Sequence, residues 1–206
     1  MPLEYEKIKR LLLDYKIPFS KTELVQTKKE ALKAGKQIGY PVVLKLFSDK
    51  GEHKSDKGGV ILGINNKKEL VCAFNKLSKL KNDGFLVQEF VQGRELIIGM
   101  KRDPQFGPVL LFGLGGIFTE VLKDISMRIA PVNKKEALKM MKETKGFELL
   151  KGFRKQNSSN VEKIVKIIVS LSNLAMREES IKEIDFNPVI TNEKLALVVD
   201  ARFLIK

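Results

Sequence analysis

Residues 181–205 read IKEIDFNPVITNEKLALVVDARFLI, two apolar runs joined by TNEK, and this spacing predicts a hairpin of two strands. Side chains on a strand alternate between faces, so Asp185 and Asn187 go to the same side. Pro188 has no N–H for a ladder, and pairing should be interrupted beside it. In VVDARF, Asp200 places a carboxylate inside an otherwise apolar run, and the hairpin brings it close to Asn187. A buried carboxylate is expensive unless a cation or hydrogen-bond donors meet it. Oxygen donors with no histidine or thiol nearby suit magnesium and not zinc. The alternative is an ion pair within the fold, for instance Asp200 with Arg202.

Upstream of the hairpin, strands and helices mix without strict alternation. Ile8, Leu11, Leu12 and Tyr15 form a helical stripe, and Thr27 with Glu30 has capping-box spacing before Ala31, Ala34 and Ile38, ending near Gly39. VVLKLF (42–47) and VILGI (60–64) read as strands, followed by a helix opened by Asn66 and Glu69. FLVQEF (85–90) and RELIIGMK (94–101) are strands joined by the short VQG turn, and residues 108–131 read as strand, turn, strand around GLGG. Asn133 with Glu136 starts another helix, and residues 160–178 form the longest. The class is α+β, or mixed α/β. A boundary near residue 92 divides it into lobes at 1–90 and 93–206.

Composition sets limits on function. The 206 residues are 43% hydrophobic and 31% charged, ordinary for a globular protein. One cysteine cannot make an internal disulfide, and the charged N-terminus has no apolar signal core, so a reducing, cytoplasmic setting is expected. The longest weakly polar run, PVLLFGLGGIF, falls short of the roughly 20 residues that span a bilayer. A net charge of +13 attracts polyanions, yet the lysines run from Lys7 to Lys206 without a dense basic tail. Three tyrosines and no tryptophan leave few platforms for stacking bases, which makes a nucleic-acid binder the weaker reading.

Three further features carry chemistry. Lys45 sits in the middle of VVLKLF, where it either snorkels at a strand edge or holds a cation on a rigid strand to meet phosphate oxygens. The loop SDKGEHKSDKGGV offers Gly58 and Gly59, whose missing Cβ lets backbone N–H groups approach a ligand, although it is no Walker A loop. GLGGIF lacks the third glycine of a dinucleotide fingerprint. His53, the one histidine of the chain, lies in the first of these loops between Glu52 and Lys54. It is either an exposed loop residue or a covalent phosphoryl acceptor.

HKSDKGGV, GRELIIGMKRDPQFGPVLLFGLGGIFTEVLKD, IKEIDFNPV and VVDAR together resemble the β subunit of the ADP-forming acetyl-CoA synthetases, of the ATP-grasp type. The resemblance runs over residues 4–205 and extends more distantly to the nucleotide subunit of succinyl-CoA ligases. It implies an ATP-grasp fold of two lobes clamping a nucleotide, with ATP or ADP and Mg2+ as cofactors. By the same resemblance Lys45 meets the phosphates, Gly58 and Gly59 line the loop over them, Gln88, Glu89 and Val91 hold the adenine, and Glu95 binds ribose. Asn187 and Asp200 are the implied magnesium ligands, Asp185 a carboxylate close to the transferred phosphoryl group, and His53 a second phosphoryl carrier. The implied partner is an α subunit with CoA-binding and phosphohistidine domains, in an α2β2 assembly that also supplies the sites for CoA and a carboxylic acid. Two departures stand out: SDKGEHK replaces the family's S-P-D-I-L-H-K, and GFRKQ around Arg154 lacks its R-G. A freestanding ATP-grasp ligase making an acyl phosphate is the alternative enzyme, disfavoured because two nucleotide lobes account for nearly all 206 residues.

Overall fold

The computed structural model describes residues 3–47, 58–116, 122–152 and 158–206. It divides into two compact units, one of residues 20–91 and one combining 1–19 with 92–206.

The 20–91 unit is a four-stranded antiparallel sheet backed by two helices. Its elements are β1 (Thr22–Val25), α2 (Lys28–Ile38), β2 (Val42–Phe47), β3 (Val60–Ile64), α3 (Lys67–Leu77) and β4 (Gly84–Glu89), with strand order β1-β4-β2-β3. The helix starts follow local chemistry. Thr27 and Glu30 form the reciprocal capping box, and the Asn66 side chain accepts from the Glu69 amide. Ala31 and Ala34 from α2 and Leu70, Ala73, Phe74 and Leu77 from α3 cover Val42, Leu44, Leu46, Phe85 and Val87 on one sheet face. Phe74 and Phe85 meet with ring centroids 4.4 Å apart.

The other unit holds α1 (Tyr5–Asp14), β5 (Arg94–Asp103), β6 (Gly107–Leu114), β7 (Ile125–Ile129), α4 (Lys134–Lys142), a short α5 (Phe147–Leu150), α6 (Val161–Arg177), β8 (Ile181–Thr191), β9 (Ala196–Val198) and β10 (Ala201–Ile205). Its antiparallel sheet runs β10-β8-β5-β6-β7, with β9 beside β8. Leu96, Ile98, Met100, Leu110, Phe112, Ile184, Phe186 and Phe203 fill one face against α4 and α6. The α+β class expected from the sequence is present in both units.

Residues 1–19 group differently from the lobe at 1–90 that the sequence suggested. Ile8, Leu12 and Ile17 are buried in the core of the second unit, a contribution on the order of 5 kcal/mol before entropy. The Leu3 amide donates to the Phe203 carbonyl at 2.9 Å, the Val198 amide to Pro18 at 2.9 Å, and Phe19 forms a parallel bridge with Val198. The Tyr15 hydroxyl donates to Glu178 at 2.8 Å. Burial, then that carboxylate, push its pKa up to about 12, so it stays a donor at any physiological pH. The division falls here because the apolar stripe of α1 has its core in the C-terminal sheet.

The second strand of the closing hairpin is also divided. LALVVDARFLI forms β9 and β10, with Val199 and Asp200 between them, opposite Asn187 and Pro188. The β5–β8 register shifts at the same place, between Leu96 and Ile98. Without a donor at Pro188 the ladder cannot run through, and both neighbouring strands adjust.

Candidate active site

In each unit several of the residues singled out by sequence share the sheet face turned away from its helices: Lys45 and Gln88 in one, Glu95, Asp185 and Asn187 in the other. In the 20–91 unit, Val42, Leu44 and Leu46 enter the core, so the alternating Val43 and Lys45 lie on the opposite face. Lys45 is buried, at 8% exposure, between Val60 on β3 and Leu86 on β4. Gln88 is on that same face, paired with Val43 and 4% exposed. Its side-chain amide donates to Ser20 Oγ at 2.6 Å and Thr22 Oγ1 at 2.9 Å, which fixes the end of β4. Ser20 and Thr22 went unnoticed at the sequence level because β1 has only four residues and its pairing to β4 is not local.

The segment after Gln88 is tied down by its own backbone. The Glu89 amide donates to the Lys21 carbonyl at 2.9 Å, the Glu89 carboxylate accepts from the Lys21 amide at 2.9 Å, and the Phe90 amide donates to Pro41 at 3.1 Å. Val91 follows, half-buried, as the last residue of this unit. Gly58 is exposed with φ +67°, a left-handed value that glycine adopts at little cost, and the buried Gly59 accepts from the Leu46 amide at 2.8 Å. The connection from β2 to β3 is thus anchored at both ends. His53 lies within it but outside the described residues, as does Arg154 in the other unit.

The second unit gathers the remaining candidates. Leu96 and Ile98 are core residues, so Glu95, Ile97 and Gly99 alternate onto the other face of β5. Glu95 is exposed, and its carbonyl accepts from the Gly115 amide at 2.8 Å. A Cβ on Gly115 would stand 2.9 Å from that of Glu95, so position 115 leaves no room for a side chain. Ile184 and Phe186 point into the core, which sends Asp185 and Asn187 outward onto the face of Gly99. The Asn187 amide donates to the Asp200 carbonyl at 3.1 Å, joining the two expected metal ligands through the backbone. Asn187 is exposed and Asp200 half-buried. Among the described residues no three His, Cys, Asp or Glu side chains cluster as a complete metal cage.

One amide and one carboxylate oxygen donor fit a hard cation that completes its shell with phosphate oxygens and water, the usual situation of magnesium. They offer no soft or imidazole ligand for zinc. Arg202 lies on this same face, a placement the sequence reading did not draw. The alternation Ala201, Arg202, Phe203 was the available signal, since a buried Phe203 turns Arg202 toward the face of Asp185.

Comparison with known proteins shows the family. The family model "ATP-grasp domain" matches residues 2–205. Acetate–CoA ligase [ADP-forming] I subunit beta of Pyrococcus furiosus is 42% identical, the match covering 99% of this chain and 92% of that subunit. In several other curated ADP-forming ligases the matched region spans less than a third of the protein. The dinucleotide-forming acetyl-coenzyme A synthetase 1 of Ca. Korarchaeum cryptofilum, solved with coenzyme A, Ca-AMPCP and HgCl+, is similar with a TM-score of 0.94 and 38% identity, over 100% of this chain and 93% of that one. A second structure of that protein, with coenzyme A and Mg-AMPPCP and its phosphohistidine segment pointing towards the nucleotide-binding site, superposes with a TM-score of 0.89 at 39% identity and the same coverage. Among the described residues no helix is long and apolar enough to cross a membrane.

Proposed function

Since the chain belongs to the ATP-grasp family that includes the β subunits of ADP-forming acetate–CoA ligases, we propose that it is the nucleotide-binding subunit of an ADP-forming acyl-CoA synthetase, an acid–thiol ligase. With an α subunit it interconverts acyl-CoA, ADP and phosphate with the carboxylic acid, ATP and CoA. The observation that carries this reading is the joined corner of Asn187 and Asp200, on the same sheet face as Asp185 and Glu95, in a chain matched from end to end by that family.

Lys45 is the cation for the nucleotide phosphates, with Gly58 and Gly59 in the loop that covers them. Gln88, Glu89 and Val91 hold the adenine and Glu95 the ribose. Asn187 and Asp200 hold Mg2+, which when bound neutralises phosphate charge and orients the phosphate oxygens. His53 receives a phosphoryl group from a phosphohistidine of the α subunit and passes it to ADP. In that last step the N–P bond to the imidazole breaks, the ring nitrogen keeps the electron pair, and a terminal oxygen of ADP forms the new O–P bond. The partner's phosphohistidine and CoA sites, and an α2β2 assembly, belong to this reading. A phosphoryl carrier must meet water and charged groups, and GEHKSDK has a polar composition that suits this.

Calorimetric titration tests the assignment. Asp200→Ala and Asn187→Ala are each expected to weaken Mg-nucleotide binding by roughly 10-fold or more, and to change metal-free nucleotide binding by less than about threefold. Equal losses with and without magnesium would make both residues structural and remove the metal site from this face.

A further inference from the structure

We propose that Arg202 is a further catalytic residue, the guanidinium that contacts the phosphoryl group in transfer, and that Asp185 is its positioning partner. The assignment rests on the nucleotide-binding reading above and deepens it. Phe186 and Phe203 are fully buried with ring centroids 6.0 Å apart, so their strand neighbours Asp185 and Arg202 project to the opposite face. There the two are direct cross-strand partners in the β8–β10 ladder. Opposite charges at such positions hold one another's side chains.

The surroundings of this pair leave room for a ligand group. On the other side of Asp185, β5 presents Gly99, which has no side chain and whose added Cβ would lie 3.0 Å from the Ile184 carbonyl. The floor beside Asp185 is therefore bare backbone. Asn187 follows two residues along β8 on the same face, a strand repeat of about 6.6 Å, and its backbone joins it to Asp200. A cationic fork thus stands one repeat from the proposed metal ligands, a spacing that a polyphosphate can bridge.

Arg102 and Arg128 of this sheet have plain fold roles. Arg102 donates to the carbonyls of Ala175, Glu178 and Ile181, locking the end of α6 to the sheet. Arg128 is enclosed by Glu136, Glu143 and Ser126. Arg202 instead extends from the face that carries Asp185, Asn187 and Asp200, where its fork matches phosphate oxygens as a lysine's point charge does not. In phosphoryl transfer the charge spreads over three equatorial oxygens, and neutralising it supplies most of the catalysis. Arg202 donates hydrogen bonds to those oxygens and exchanges no proton, so it is unchanged by the breaking of N–P and the making of O–P.

The test compares Mg-ADP with a non-hydrolysable Mg-ATP analogue by calorimetry on the full chain. Arg202→Gln is expected to weaken the triphosphate by on the order of 10- to 100-fold, the range for a charge-assisted hydrogen bond, and the diphosphate by less than about threefold. Arg202→Lys should recover part of the loss, and Asp185→Asn should show the same selectivity at smaller size. Mg-ADP affinity serves as the control for folding. Equal weakening of both ligands, or no weakening in Arg202→Gln and Arg202→Lys, overturns the proposal. A wild-type chain that binds neither nucleotide would instead refute the nucleotide-binding reading, and this assignment with it.

Discussion

Replacing His53 with Asn in the assembled enzyme is expected to remove acyl-CoA-dependent ATP formation, a loss of roughly three orders of magnitude or more, as when other covalent nucleophiles are deleted. The size follows from the chemistry of the carrier. An amide has no ring nitrogen on which to hold a phosphoryl group, and the 206 residues contain no second histidine to substitute for it. Mg-nucleotide affinity should stay within about threefold, because the residues proposed to bind the nucleotide, Lys45, Gln88, Glu95, Asn187 and Asp200, are untouched. Radiolabelled ATP and magnesium should label the wild-type complex in a form stable to alkali and lost in acid, as a phosphoramidate is, and leave His53→Asn unlabelled. A His53→Asn enzyme that keeps full acyl-CoA turnover would end the relay mechanism while leaving nucleotide binding intact.

The second large effect is dependence on a partner. This 206-residue chain by itself is expected to bind Mg-nucleotide and to show no thioester turnover, with activity rising from background to full rate when the α subunit is added. Both of its units belong to the matched ATP-grasp region, residues 2–205. The reaction also needs a CoA pocket, an acyl site and a first phosphoryl acceptor, and one histidine cannot serve as both donor and acceptor of a two-step relay. The assay is acetyl-CoA, ADP, phosphate and magnesium, with and without the α subunit. Turnover by the partner-free chain would favour a self-contained ligase forming an acyl phosphate within one polypeptide.

Much of the fold was legible because the decisive signals are local. Thr27 with Glu30, Asn66 with Glu69 and Asn133 with Glu136 each mark a helix start that the structure shows. Strands β2, β4 and β5 follow from β-branched runs between turn residues. What sequence could not reach depends on partners far along the chain. Strand β1 exists because Thr22 to Val25 pair with residues 85–88, and the stripe of α1 does not say which core it will enter. The split of the closing strand at Asp200 was half visible, since Pro188 marked the interruption on β8 but not its consequence across the ladder. For the candidate site, period-two alternation placed Asp185 and Asn187 correctly on one face. The Arg202 opposite Asp185 required a register, and a register is set by the whole sheet.

The attachment of residues 1–19 to strands near the C-terminus bears on how the chain is made. Leu3 and Pro18 find their hydrogen-bond partners at Phe203 and Val198, so residues 1–19 wait for strands made some 180 residues later. Residues 20–91, by contrast, contain every strand of their own sheet and can close while the remainder is still being synthesised. Until translation passes Val198, Pro18 lacks its backbone partner, and until it passes Phe203 so does Leu3. The growing polypeptide therefore carries one finished unit and one open one, and the open unit stays exposed to aggregation or chaperone capture until residues 198–203 have emerged.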